Sequence, residues 1–470
     1  MCPVEIDTLK ERVAACGQSH VLACWDTLDP GRQDALVHQL ATVPLESIPD
    51  LVECHVHGYA AEAPPSDLAP AVVTTPDDSM AAEFSSRGET IIREGKVAAF
   101  TVAGGQGTRL GWGGPKGTFP ATPVSGKPLF RVFAEQIEAA SQRWGTPIRW
   151  YIMTSEANDA ATRSFFADNN WFGLSRTQVM LFPQGMMPCL DAASGSMLMD
   201  GPGRLAMSPD GHGGAIAALE RSGALEQMEM LGIEHVSYFQ VDNPMPPVID
   251  PVFLGLHADP AYSSGEMSSK MVPKISPAEK VGVFCRVGSK TDVIEYSDLP
   301  EALQSETDAD GQLRFDAGNI AVHLLGVEFI RRLTAGNEMP WHRALKKVPY
   351  YDTTRGERIE PDEPNGVKLE RFIFDALPLA TKPAILRVDR AREFAPIKNA
   401  TGADSPASSR QAQSDLYGGW MEARGVDVAR GEDGHVLADI EISPLAAMGP
   451  GELDAADLPE RVGPEERFVL

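Results

Sequence analysis

Apolar and polar positions recur with different periods along the chain, and each change of period marks an element. Across residues 6–59, Ile6, Leu9 and Val13, and later Leu36, Val37 and Leu40, fall three and four positions apart between polar residues. That period predicts amphipathic helices, broken once at Asp29-Pro30-Gly31. Residues 60–78, with Pro64, Pro65, Pro70 and Pro76, read as a linker or wrapping arm, and 83–94 as a helix. Residues 97–102 (Val-Ala-Ala-Phe-Thr-Val) form a continuous apolar run, the mark of a buried strand.

After it come a helical period over 129–144, a strand over 148–154, a helix over 162–169 and strands over 179–182 and 235–240. This alternation predicts an α/β fold with a doubly wound, mostly parallel sheet, in which ligands sit at the carboxyl ends of the strands. Polar and glycine clusters fall at such places: Pro183-Gln184-Gly185, Val241-Asp242-Asn243, and between them Ser208-Pro209-Asp210-Gly211-His212-Gly213-Gly214, before a helix starting near Ala215. Residues 267–272, 281–287, 293–296 and 384–388 read as strands, Asn319-Ile320-Ala321 as the start of a helix, and Lys398 as a cation at a strand exit. The tail is Ser-, Gly- and acid-rich, with β-like pieces at 435–442. The expected division is a helical N-terminal region with a proline-rich arm (1–95), the α/β domain (96–395) and a small β-rich C-terminal lobe (396–470).

Composition narrows the function. A chain of 470 residues exceeds one hydrophobic core, so two or three domains are expected. The net charge of −25 argues against nucleic-acid and membrane-surface partners. No apolar run approaches the roughly twenty residues of a membrane span, and residues 1–29 lack the pattern of a secretory leader, so a cytoplasmic location is expected. The six cysteines are scattered without a Cys-x-x-Cys pair, which points to a reducing compartment and away from a disulfide framework or a structural metal.

The candidate chemistry begins where the strand at 97–102 ends. Gly104, Gly105 and Gly107 let the backbone take positive φ and bring N–H groups to an anion, and Arg109 and Lys116 follow. A Walker A loop is excluded because Pro115 precedes Lys116. A dinucleotide fingerprint is only partly matched, because Leu110 stands where its third glycine belongs and Glu135, the candidate ribose acid, lies mid-helix and too far on. A strand leading into a glycine turn with two cations is suited to a polyphosphate.

Taken in order, Ala103-Gly104-Gly105-Gln106-Gly107-Thr108-Arg109-Leu110-Gly111, Pro115-Lys116-Gly117, Phe182-Pro183-Gln184-Gly185, Met207 to Gly214, Val241-Asp242-Asn243, Val281-Gly282-Val283, Val293-Ile294-Glu295-Tyr296, Asn319-Ile320-Ala321, Asn365-Gly366-Val367-Lys368, Phe372-Ile373-Phe374-Asp375 and Pro396-Ile397-Lys398-Asn399 closely resemble the eukaryotic-type UDP-N-acetylglucosamine (UDP-N-acetylhexosamine) pyrophosphorylase branch of the UDP-sugar pyrophosphorylases. The likeness extends into the tail at Glu441-Ile442-Ser443. His212 stands where that family more often has asparagine, and Pro183 where it more often has a second glutamine.

The resemblance implies a nucleotidyltransferase fold and roles for individual residues. Ala103, Gly104, Gly105, Gln106, Gly107 and Thr108 are expected to hold uracil and the UTP phosphates, and Arg109 and Lys116 the departing pyrophosphate. Gln184, Gly213 and Gly214 are expected to fix the uridine, and Asp242 to serve Mg²⁺ directly or through water. Gly282, Glu295, Asn319, Phe372 and Phe374 are expected to line the sugar, and Lys368 and Lys398 to neutralise the exchanged phosphates. The implied substrates are UTP and a hexose- or N-acetylhexosamine-1-phosphate.

Outside that context several of these residues have plainer readings. Lys398 would be a solvated lysine, Asp242 an Asx-turn residue before Pro244, Glu295 a surface carboxylate and His212 a turn residue. Phe372 and Phe374 alternate, so one face would be core. N-acetylglucosamine-1-phosphate is the expected sugar substrate, because Gly282, Glu295-Tyr296, Asn319 and the Phe372/Phe374 pair resemble the N-acetylhexosamine branch. Gly282 is expected to leave room for the acetyl group, and the aromatic pair to give its methyl an apolar surface. Glucose-1-phosphate is the alternative, and a non-catalytic sugar-nucleotide sensor a more distant one.

Overall fold

The computed structural model describes residues 3–60, 67–336, 339–454 and 457–470. Contacts divide the chain into two units: Met1–Ala63, Gln184–Ala215 and Glu338–Ile373 form one, and Pro64–Pro183, Ile216–Asn337 and Phe374–Leu470 the other. This grouping follows contacts in space and differs from the three consecutive segments expected from composition.

The larger unit is built on a ten-stranded sheet: β1 (Leu68–Pro70), β2 (Val97–Val102), β3 (Arg149–Thr154), β4 (Val179–Pro183), β5 (His235–Gln240), β6 (Met267–Pro273), β7 (Val283–Val287), β8 (Lys290–Ile294), β9 (Ala317–Gly326) and β10 (Ala384–Arg387). β5, β2, β3 and β4 pair in parallel in that order. β9 joins β5 antiparallel and continues the sheet to β6 and β7, while β10 lies parallel to β6. The α/β class expected from the sequence is the class found, with an antiparallel extension beyond the doubly wound part. The helix Leu129–Trp144 buries Leu129, Phe130, Phe133, Ala134 and Ile137 in the core shared with Trp150 and Ile152 of β3. The helices Asp78–Arg93 and Pro251–His257 cross closely, because Gly88 and Gly255 carry no Cβ: one built on Gly88 would lie 1.9 Å from the Pro251 carbonyl oxygen.

Part of the proline arm is strand. β1 pairs with β7 at the sheet edge, where Pro70 has no N–H to contribute. Pro64 and Pro65 lie outside the described residues.

Two other expectations are corrected. Asn319-Ile320-Ala321 lies inside β9 and starts no helix. Lys398 is not at a strand exit: β10 ends at Arg387, and the short helix Arg390–Glu393 intervenes.

In the smaller unit the N-terminal helices Pro3–Ala15 and Pro30–Thr42 place Leu9, Val13, Leu36, Val37 and Leu40 in one core with Met187, Leu190, Val367 and Leu369. The tail has its own apolar cluster, with Met421, Val436, Ile440 and Val462, around the helix Pro406–Glu422 and short parallel strand pairs. Among the described residues no helix is long and apolar enough to cross a membrane. Cys16, Cys24, Cys54, Cys189 and Cys285 are free thiols.

Candidate active site

β2, β3 and β5 run in parallel and release the chain at the same edge, so the loops after them meet there. The loop after β2 folds back on itself. The Gly107 N–H donates to the Gly114 carbonyl at 3.0 Å and the Lys116 N–H to that of Gly105 at 3.1 Å. Asn158, 1% exposed, ties it to the loop after β3 by donating to the carbonyls of Ala103 and Gly105 at 3.0 and 3.3 Å. The Gln106 side chain donates to the Ala157 carbonyl at 3.4 Å. Arg109 lies exposed on the 3₁₀ turn Thr108–Leu110.

The glycines earn their place differently from the sequence expectation. Gly105 and Gly107 do not take positive φ; Gly111 does, at +70°. A Cβ on Gly107 would lie 2.7 Å from that of Trp112, so the residue is required by close approach. Trp112 in turn donates to the Thr118 hydroxyl at 2.8 Å and packs edge-on to Phe119.

Lys116 points at Asp242, which leaves the end of β5. Lys116 Nζ lies 3.2 Å from Asp242 Oδ2, with the two side chains 16% and 12% exposed. The segment carrying Lys398 is laced to the same turn. Ile397 N–H donates to the Asp242 carbonyl at 2.8 Å, Ala395 N–H to Asn243 Oδ1 at 3.2 Å, and Asn243 Nδ2 to the Glu393 carbonyl at 2.8 Å. Behind it Lys270, fully buried on β6, places Nζ 2.7 Å from both Asp250 and Glu393. Burial pulls the Lys270 ammonium down, but the two carboxylates outweigh it and its pKa is raised. Burial leaves the Glu393 pKa raised despite Lys270, whereas Lys270 and two backbone N–H groups of the following helix outweigh burial at Asp250 and lower its pKa.

Gly282, Glu295 and Asn319 come together at one corner of the sheet. Asn319 N–H donates to the Gly282 carbonyl at 2.8 Å, and a Cβ on Gly282 would lie 3.7 Å from Glu295 Oε1. The β6–β9 register shifts here, Ala321 takes φ +56°, and its N–H is met by Asn319 Oδ1 at 2.8 Å. This bulge re-aims the strand where the expected sugar residues lie.

Within the smaller unit, Gly213 N–H donates to the Arg371 carbonyl at 2.8 Å, and a Cβ on Gly213 would lie 2.5 Å from the Phe372 backbone. Gly214 is bare because Asp210 Oδ1 lies 2.1 Å from where its Cβ would be. Phe372 is stacked between His212 and His342, at ring-centroid distances of 5.4 and 4.6 Å. His212 Nδ1 accepts from the Ile373 N–H at 3.1 Å, so the proton of a neutral ring sits on Nε2. Lys368 lies half-buried on the strand Gly366–Glu370, and Gln184 in the link before Met186–Pro188. In the larger unit Phe374, 8% exposed, lies in the 3₁₀ stretch Ile373–Leu379.

A family model described as UTP–glucose-1-phosphate uridylyltransferase matches residues 68–411. The chain belongs to this family. It is 35% identical over 468 residues to UDP-N-acetylglucosamine diphosphorylase 1 of Arabidopsis thaliana, over 95% of this chain and 90% of that one. It is also 35% identical over 444 residues to UDP-N-acetylglucosamine pyrophosphorylase of Saccharomyces cerevisiae, over 90% and 92% of the two. The solved uridine diphosphate N-acetylglucosamine pyrophosphorylase of Trypanosoma brucei is similar with a TM-score of 0.80 and 26% identity, over 99% of this chain and 98% of that one.

Within this uridylyltransferase family member, sequence reasoning missed Asn158, Trp112 and the buried Lys270 group. Asn243 stood in a quoted motif but without a role. Nothing in the sequence marks Asn158, since its work is to hold two carbonyls of a distant loop.

Proposed function

We propose that the protein is a UTP:N-acetylglucosamine-1-phosphate uridylyltransferase, forming UDP-N-acetylglucosamine and pyrophosphate. A sugar-1-phosphate oxygen forms a bond to the α-phosphorus of UTP as the bond to the bridging oxygen of the β-phosphate breaks. Phosphate is already a nucleophile, so the work of the protein is alignment and charge neutralisation. The observation that carries the reading is the Lys116–Asp242 pair beneath the glycine loop, at the carboxyl ends of parallel strands.

In this reading the Ala103–Thr108 backbone and Gln106 receive the nucleotide, and Arg109 and Lys116 take up the charge that grows on pyrophosphate. Lys368 and Lys398 neutralise the exchanged phosphates, and Gln184, Gly213 and Gly214 serve the uridine. Gly282, Glu295, Asn319, Phe372 and Phe374 serve the sugar. Among the described residues no group of three or more His, Cys, Asp or Glu could hold a metal by itself. A single mostly buried carboxylate fits a Mg²⁺ that arrives with the polyphosphate and keeps much of its water. Asp242 would hold it, directly or through water, and the ion when bound supplies further neutralisation of phosphate charge. Lys116 would then exchange Asp242 for phosphate oxygens.

The description of the matching family favours glucose-1-phosphate as a second reading; the relatives named above favour the N-acetylated sugar. The purified protein with UTP and Mg²⁺ should release pyrophosphate on addition of N-acetylglucosamine-1-phosphate. Release no faster than without enzyme, for every sugar phosphate tried, overturns the assignment.

A further inference from the structure

The tail beyond Lys398 has no chemistry assigned to it, yet its polar side chains converge on one short loop. Glu441, 2% exposed, accepts from Val124 N–H at 3.1 Å, from Ser125 N–H at 2.8 Å and from the Ser125 hydroxyl at 2.5 Å. Two side chains of the helix Pro406–Glu422 bind the same loop: Arg410 donates to the Pro120 carbonyl at 2.7 Å and Gln413 to that of Ala121 at 3.1 Å.

That loop is the return arm of the turn that carries Lys116. Phe119 N–H donates to the Lys116 carbonyl, Leu129 N–H to the Phe119 carbonyl and Ala121 N–H to the Lys127 carbonyl, at 3.0, 3.1 and 2.8 Å. The turn has no slack, since a Cβ on Gly117 would lie 2.2 Å from the Phe130 ring. A shift of residues 120–127 therefore passes to Lys116.

We propose that Glu441 is a positioning residue for the uridylyl transfer, through which the C-terminal lobe clamps the 120–127 loop and so fixes Lys116. A carboxylate suits this task because three hydrogen-bond donors and, at 3.6 Å, the ammonium of Lys127 converge on it, and charge-assisted bonds are the strong ones. Burial pushes the Glu441 carboxyl up, but the Ser125 hydroxyl and the loop N–H groups outweigh it and hold the pKa below the usual value. The helix that supplies Arg410 and Gln413 begins just after the turn containing Lys398, whose N–H donates to the Asp404 carbonyl at 2.7 Å. The lobe thus braces the loop behind one cation and adjoins the turn that holds the other.

This inference rests on the proposed role of Lys116 at the departing phosphates, and a double-mutant cycle on kcat separates the two. Lys116→Ala alone should lower kcat strongly; wild-type kcat in that variant overturns the role of Lys116 and the clamp with it. Glu441→Ala should lower kcat roughly 10- to 100-fold, the effect of a small misplacement of a charge-neutralising group. In the Lys116→Ala background the same change should cost less than about twofold, because the group it positions is already gone. A loss that is undiminished in that background marks general damage and overturns the proposal. Ser125→Ala, at an exposed position, removes one of the three bonds and should show the same pattern with a smaller loss. It decides the question if Glu441→Ala does not fold. Wild-type kcat in both Glu441→Ala and Ser125→Ala also overturns it.

Discussion

Lys116 and Asp242 lie 126 positions apart in sequence and meet at 3.2 Å. Asp242 alone has a plainer reading, as a turn residue; its pairing with Lys116 in a largely buried place is what the sequence could not show. Asp242 is held by the segment after the helix Arg390–Glu393: its carbonyl receives Ile397 N–H, and the neighbouring Asn243 accepts from Ala395 N–H. Its carboxylate is therefore free to change partner while its backbone stays fixed. Asp242→Asn removes the charge that would attract a divalent ion. It should move the Mg²⁺ titration of activity to roughly 10- to 100-fold higher concentration, the scale of a lost contact at or next to a metal. An unchanged titration removes Asp242 from the metal site.

At the scale of elements, the fold was legible where period and burial agree. β2, β3 and the helix Leu129–Trp144 were readable because their apolar residues are buried on the expected faces. Asn319-Ile320-Ala321 was misread because a bulge interrupts β9 there. Ala321 sits in the left-handed region that alanine seldom visits, and Asn319 caps its N–H as it would at a helix start. The glycine loop was recognised, but the reason for its glycines was legible only at Gly107, once Trp112 was seen against it. Glycines at helix crossings carry no sequence signal at all. Gly255 lets its helix approach Asp78–Arg93 so closely that a Cβ would lie 1.9 Å from the Phe84 carbonyl oxygen. Gly255→Ala must push the helices apart and should lower stability by about 1–3 kcal/mol, the range for an overpacked core. Denaturant unfolding with the midpoint of the wild type would contradict this packing.

At the scale of the whole molecule, the N-terminal helices were legible as helices but not as part of a larger core. Their apolar stripe is completed by Val367 and Leu369, hundreds of positions on, and no local pattern encodes that partner. Family membership, by contrast, was legible early, because the motifs are short, ordered and tied to phosphate chemistry. What family membership leaves open is the sugar. Gly282 does not leave the open room expected for an acetyl group: a Cβ there would lie 2.8 Å from Val293 Cγ1, so the glycine answers to close packing. The preference for the N-acetylated sugar rests on the relatives. Apolar contact with one methyl discriminates only roughly 10- to 200-fold, so some turnover of unacetylated sugars is expected. The deciding measurement is kcat/KM with UTP for N-acetylglucosamine-, N-acetylgalactosamine-, glucose- and galactose-1-phosphate, side by side. The account predicts the highest value for N-acetylglucosamine-1-phosphate; a clear preference for glucose-1-phosphate would contradict it.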